Sequence, residues 1–303
     1  MESPGSHAGD GEPVNRCDRY DLPITDQAPV IIGGLGGSGT RLVTRVLEHE
    51  GVNFAGAVND SLDNLWFTLL FVRRSILLKP IDQVRQLAWL FNNAMRQAEP
   101  IPPELTSLLH NSVRYDRGPA LRRGVLAASL ESLLSSDGPA RGAARWGWKQ
   151  PNSHVMISLL RESFPALKYI YVVRNGLDMA LSYNQNQLMY FWGDIMLDGD
   201  VSPEPRNALR YWVASYRRLQ ADAARFSDQV YILDYDRLCA EPRSELQALN
   251  TFLELDVSRT LGLEAEAMVT VPDTTGRHRA ADLAQFVPDD LNFLKELGYA
   301  LDV

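Results

Sequence analysis

The chain is poor in cysteine, with two in 303 residues, Cys17 and Cys239. Neither has metal-ligand spacing, and one pair cannot staple a chain this long, so a reduced, cytoplasmic setting is expected. An excess of positive charge is also missing. Lys and Arg number 30 against 38 Asp and Glu, a net charge of −8. That argues against a nucleic-acid partner, because such binding rests on basic surface. It leaves room for a local basic pocket that takes a small anion. Long hydrophobic runs are absent too. The most apolar stretch, LWFTLLFVRRSILL, is broken by Arg73 and Arg74, and no stable membrane insertion is expected from it. The first residues lack the basic-then-apolar pattern of a secretory leader. Residues 1–28, with their Gly, Pro and polar content, read as a flexible arm.

What is present is an alternation of strand and helix patterns. Val30–Ile32 is β-branched and ends in glycines, RWGWKQP is a short strand stopped by Pro151, and LKYIYVVRN and QVYILDY are further strands. Helical spacing runs through Thr40–Glu50 and through four segments between about 62 and 135, which read as a helical insertion. NSHVMISLLRESFP reads as a helix capped by Asn152, and GLDMALSYNQNQLMYFW as one continuous helix. Three more follow: RYWVASYRRLQADAARF, RSELQALNTFLEL and PDDLNFLKELGY. The expected fold is α/β, a central parallel sheet flanked by helices, forming a single domain from 29 to 303. Trp66, Phe67, Phe71, Trp89 and Phe91 fill the core of the insertion or line an acceptor pocket; core is the reading they favour.

The stretch PVIIGGLGGSGTRLVTR at Pro29–Arg45 is a strand, a glycine turn and a helix. Gly34 and Gly39 have the spacing of the two glycines in the phosphate loop GxxxxGK[ST]. Gly36, Gly37 and Gly39 let backbone N–H groups turn onto an anion, the helix from Thr40 adds its dipole, and Ser38 and Thr40 offer hydroxyls. Two elements of a kinase loop are lacking. Thr40 stands where Lys belongs and Arg41 where the magnesium-binding hydroxyl belongs. A bare strand-to-helix turn without a ligand is the competing reading. A second anion site bears on the choice: Arg174 ends a strand, and Ser182 follows about two helical turns on.

With both sites in view the chain resembles the sulfotransferases that use 3′-phosphoadenosine 5′-phosphosulfate (PAPS), from about Pro29 onward. GSGTR at Gly37–Arg41 is similar to that family's first loop, and RNGLDMALS at Arg174–Ser182 fits its R-(N/D)-x-x-D-x-x-x-S pattern. VYILDYDRL places Tyr235 where an adenine contact is usual, and TTGRHR, with Gly276, Arg277 and Arg279, resembles the late loop that closes over the 3′-phosphate. The resemblance implies a P-loop-like sulfotransferase fold and sulfuryl transfer from PAPS, without a metal, to a hydroxyl or amine of a small-molecule or carbohydrate acceptor. A homodimer is an open partner. In these terms the first loop holds the 5′-phosphosulfate, and Arg174 with Ser182 holds the 3′-phosphate.

The family's cation at the position of Gly37 is missing here. Lys149, in GWKQP, is the expected substitute on the sulfuryl group, with a snorkelling surface Lys as the alternative. For the general base, Asp60 and Asp63 rank ahead of His154, and one of the two acids is also expected to cap the helix that follows. A kinase-like phosphotransferase using ATP and a non-catalytic nucleotide-binding relative are the other readings.

Overall fold

The structure is a computed structural model and describes residues 20–22, 28–97, 99–115 and 121–301. Cys17 and most of the expected N-terminal arm lie outside the described residues. Four strands form one all-parallel sheet: β1 (Pro29–Gly34), β2 (Trp146–Lys149), β3 (Lys168–Val173) and β4 (Val230–Asp234), in the order β2-β1-β3-β4. All six residues of β1 are buried, as its β-branched composition requires of a strand covered on both faces.

The two-residue period of the strands divides the core. Ile31, Tyr169, Tyr171 and Val173 point to one face, and Val30, Ile32, Ile170, Val172 and Leu233 to the other. The second face is closed by α1 (Thr40–His49), α10 (Tyr235–Ala240), α11 (Pro242–Leu253) and α12 (Arg259–Met268), through Val43, Val46, Leu47, Leu238, Leu246, Leu249, Leu253 and Ala265. The first face carries the larger core. Around it stand α2 (Leu65–Phe71), α3 (Ile81–Asn92), α4 (Pro103–Ser112), α5 (Arg123–Leu134), α6 (Ile157–Ser163), α9 (Pro205–Arg225) and α13 (Pro288–Glu296).

The helices α2 to α5 occupy the stretch expected to be a helical insertion. Phe67 and Phe71 stack at 4.7 Å, and Phe91 meets Trp148 edge-on at 4.8 Å. Each of these four rings is fully buried and contributes on the order of 2–3 kcal/mol. They are core, and so is Trp66, while Trp89 packs partly buried against Tyr20.

Two local expectations are corrected. Asn152 does not cap the helix after β2. The Gln150 side chain accepts from Asn152 N at 3.1 Å and starts a 3-10 turn, Pro151–Met156, before α6. The continuous helix expected after Asn175 is in three pieces: α7 (Gly176–Ala180), a π-helical turn (Gln187–Trp192) and α8 (Gly193–Met196). Gln185 Nε2 donates to the carbonyls of Met179 and Ser182, both at 2.9 Å. This satisfies the Met179 carbonyl in the last turn of α7 and that of Ser182 just beyond it, where the helix has ended.

Candidate functional site

All four strands deliver residues to one crevice at their carboxyl ends. β1 runs into the glycine loop, β2 ends at Lys149, β3 is followed by Arg174 and β4 by Tyr235. The chain leaves β1 toward β2 on one side and reaches β3 on the other. The crevice therefore lies where connections diverge, the usual ligand position of an open parallel sheet. Its volume is about 430 Å³, and Gly36, Gly37, Gly39, Thr40, Arg41, Arg45, Asp63, Lys149, Arg174 and Tyr235 are among the residues lining it.

Gly39 caps α1 at φ 102°, where a side chain is strained. A Cβ there would also stand 2.1 Å from the Tyr235 ring. Around this turn the N–H groups of Gly37, Gly39, Thr40 and Arg41 have no hydrogen-bond partner among the described residues. Unpaired N–H groups at a helix N-terminus are an anion cradle.

Lys149 is 4% exposed. Its ammonium donates to Ser61 O at 2.9 Å and forms an ion pair with the Asp63 carboxylate. Burial lowers its pKa, Asp63 raises it, and the nearby Arg41 charge lowers it again. The loop carrying Asp63 is strained: Leu62 sits at φ 64°. Asn59 holds it, its side-chain oxygen accepting from Ser61 N and Asp63 N, both at 2.9 Å. Asn64 N donates to Lys149 O at 2.8 Å and ties the loop to the end of β2. Asn64, not Asp60 or Asp63, caps α2, accepting from Phe67 N. That leaves Asp63 for the crevice. Arg41 also turns inward, donating to Ser61 Oγ at 3.0 Å.

Arg174 is buried on the opposite wall. Its Nη2 donates to the hydroxyls of Thr274 and Thr275, both at 3.0 Å. Its Nε is buried without a hydrogen-bond partner and forms a 4.0 Å ion pair with Asp236. Arg174 lines the crevice, and a guanidinium there suits an anionic oxygen. Burial pushes the Tyr235 hydroxyl up to about 12, so the ring is a neutral phenol.

Other expected residues fall elsewhere. Ser38 is 1% exposed, and its Oγ is unpartnered beside a small internal void under the loop, not in the crevice. Asp60 is exposed on the turn and does not line the crevice. Ser182 lies past the end of α7, half-buried, and its Oγ accepts from Asn184 N at 3.3 Å. His154 is turned into the core, with Nδ1 on Pro151 O at 3.0 Å and Nε2 on the Tyr211 hydroxyl at 3.1 Å. Both ring nitrogens are used, burial pulls its pKa down to about 4, and it does not reach the crevice. The late loop is at the rim: Pro272 lines the crevice, Arg277 Nη1 donates to Leu181 O at 3.3 Å, and Arg279 lies exposed.

Sequence reasoning passed over several residues here. Asp178 figured only as a fixed position of the RNGLDMALS pattern; it is 2% exposed and accepts from Gly276 N at 2.7 Å, His278 N at 3.0 Å and His278 Nδ1 at 2.7 Å, so it anchors the late loop. Arg45 follows Arg41 by four residues on α1, a helical spacing that puts both on one face and could have been read. Asn184 and Gln187 lie near the glycine loop only through tertiary packing.

A model of the sulfotransferase family matches residues 29–259. The chain belongs to the sulfotransferase family. A curated relative, an uncharacterized protein of Aquifex aeolicus (strain VF5), is 33% identical over 113 residues, 35% of this chain and 14% of that protein. The chain thus spans a small part of the length of the curated relative it matches. Among solved structures, the sulfotransferase domain of the Synechococcus PCC 7002 olefin synthase is similar with a TM-score of 0.47 and 17% identity, over 91% of this chain and 97% of that one. The sulfotransferase domain from the curacin biosynthetic pathway gives 0.49 and 16%, over 93% and 99%.

Proposed function

We propose that this sulfotransferase-family chain moves a sulfuryl group from PAPS to a hydroxyl or amine of a small-molecule or carbohydrate acceptor. One observation carries the reading: the unpaired N–H groups of the glycine loop, the buried Lys149 ammonium and the buried Arg174 guanidinium line the same crevice. Two separated cationic centres suit a donor with two separated anionic groups. PAPS would supply an activated sulfuryl group on one and a 3′-phosphate on the other.

In this reading the N–H groups of Gly37, Gly39, Thr40 and Arg41 hold the phosphosulfate end. Lys149 stabilises negative charge as it develops on the departing oxygen, from a position already desolvated and fixed. Asp63, bound to Lys149 and open to the crevice, takes the proton of the acceptor group. Arg174 and the Gly276–Arg279 loop hold the 3′-phosphate, and the Tyr235 ring offers its face to the base. Ser182 would join Arg174 only if its segment moves inward. His154 has no place in this chemistry. A kinase-like use of ATP would require a cation at position 40, where Thr40 stands.

The test is calorimetric titration of 3′-phosphoadenosine 5′-phosphate against ADP, with and without magnesium. Tighter, magnesium-independent binding of the former is expected. Arg174→Ala should cost it roughly 2–4 kcal/mol and leave ADP nearly unchanged. Preference for ADP strengthened by magnesium overturns the proposal. Turnover of PAPS against a panel of alcohols, phenols and amines, abolished in Lys149→Ala, separates an enzyme from a nucleotide-binding relative.

A further inference from the structure

The glycine loop is held from behind by one side chain. Gln187 Oε1 accepts from Gly36 N at 2.8 Å, and Gln187 Nε2 donates to Gly34 O at 3.3 Å. A single amide thus satisfies the carbonyl where β1 ends and the N–H two residues into the loop. Gln187 is 8% exposed and opens the π-helical turn Gln187–Trp192. Such wide turns are uncommon and are frequent at functional sites. The far end of the turn is fixed as well. Trp192 Nε1 donates to Asn152 Oδ1 at 3.0 Å, three residues after Lys149. The next residue, Gly193, would place a Cβ 2.1 Å from Leu188 O, so the turn is tightly packed. One short segment therefore connects the loop with the strand end that carries the buried ammonium.

We propose that Gln187 is a positioning residue for the donor: its amide fixes the pitch of the glycine loop so that the unpaired N–H groups of Gly37, Gly39, Thr40 and Arg41 converge on the 5′ anion. The physical argument is a division of the loop's donors. The Gly36 N–H is consumed by Gln187 and that of Ser38 by Leu35 O, and those of Gly37, Gly39, Thr40 and Arg41 are left free among the described residues. Without the amide, Gly36 N–H and the buried Gly34 carbonyl lose their partners, and the loop turns to recover them. The proposal rests on the reading of the crevice as a nucleotide site whose 5′ anion lies on the loop.

The experiment compares two ligands in the full chain. Adenosine 3′,5′-bisphosphate engages both ends of the crevice, whereas adenosine 3′-monophosphate lacks the group that meets the loop. Gln187→Met, similar in length but without the amide, should weaken the bisphosphate about tenfold and the 3′-monophosphate less than about twofold. A residue that only stabilised the fold would weaken both alike, so equal losses overturn the proposal, as does an unchanged bisphosphate affinity. If Gln187→Met does not fold, Gln187→Glu carries the same comparison: it keeps an acceptor for Gly36 N–H and loses the donor to Gly34 O. If the wild-type chain prefers ADP, the reading of the donor fails. The clamp is then judged by ADP against adenosine, with the same selective loss expected and an equal loss overturning it.

Discussion

At neutral pH the imidazole of His154 carries no charge, because burial pulls its pKa down to about 4 from an ordinary value near 6.5. Above the ordinary value neither folded nor unfolded chain binds the proton, and this contribution to stability is whole. As pH falls toward 4 the unfolded chain takes up a proton that the folded one refuses. Stability then drops by roughly 3 kcal/mol from this group. His154→Gln should be less stable at pH 7, having lost the bond to the Tyr211 hydroxyl. It should also lose less between pH 6.5 and 4 than the parent chain, measured as urea midpoints. Equal slopes would mean that His154 is not neutral in the fold. The residue illustrates what sequence could and could not say. His is a common base, and three positions after Pro151 is near Lys149, yet its direction was decided by Tyr211, 57 residues away. Asp60 and Asp63 were likewise indistinguishable in NDSLDN. The left-handed Leu62 between them and the bonds made by Asn59 send one to Lys149 and leave the other in solvent.

At the scale of elements, the four strands and the helices α1, α9, α11 and α13 were legible because burial imposes a period of 2 or 3.6 on them. The segment after Asn175 was not. Its apolar spacing is helical throughout, but the Gln185 side chain takes carbonyls in and just beyond the last turn of α7 and the chain restarts as a π turn. The helix α12, RTLGLEAEAM, was also missed: only Ala265 of it is buried, so it carries little pattern. The late loop is held to α7 through Asp178, whose carboxylate accepts two backbone N–H groups and the His278 ring. Asp178→Ala should therefore free that loop while leaving the sheet intact. Amide exchange over 274–280 is expected to speed by at least about tenfold, with β1 and β3 unchanged. Uniformly faster exchange would make Asp178 a global stabiliser, and no change would mean that the loop is held by other contacts.

Over the whole molecule the charge balance is −8, whereas the crevice gathers Arg41, Arg45, Lys149 and Arg174 against Asp63 alone. An anionic ligand is thus drawn to one place on an otherwise acidic surface. Raising salt from about 50 to 500 mM should weaken 3′-phosphoadenosine 5′-phosphate about tenfold, mainly through slower association. A salt-insensitive affinity would mean that these cations do not face the ligand.

The sequence by itself determined the layered architecture, the position of the glycine loop and the two strand-end cations, since each follows from local pattern: β-branched runs, glycine spacing and a charge at a strand terminus. Which side chains share the crevice was decided only by the tertiary structure. Arg41 turns toward Ser61, Asp178 reaches a loop some hundred residues on, and Gln187 bridges 151 residues to Gly36. These contacts are non-local, and a hydrogen-bonding side chain in a sequence does not state which distant partner it will satisfy.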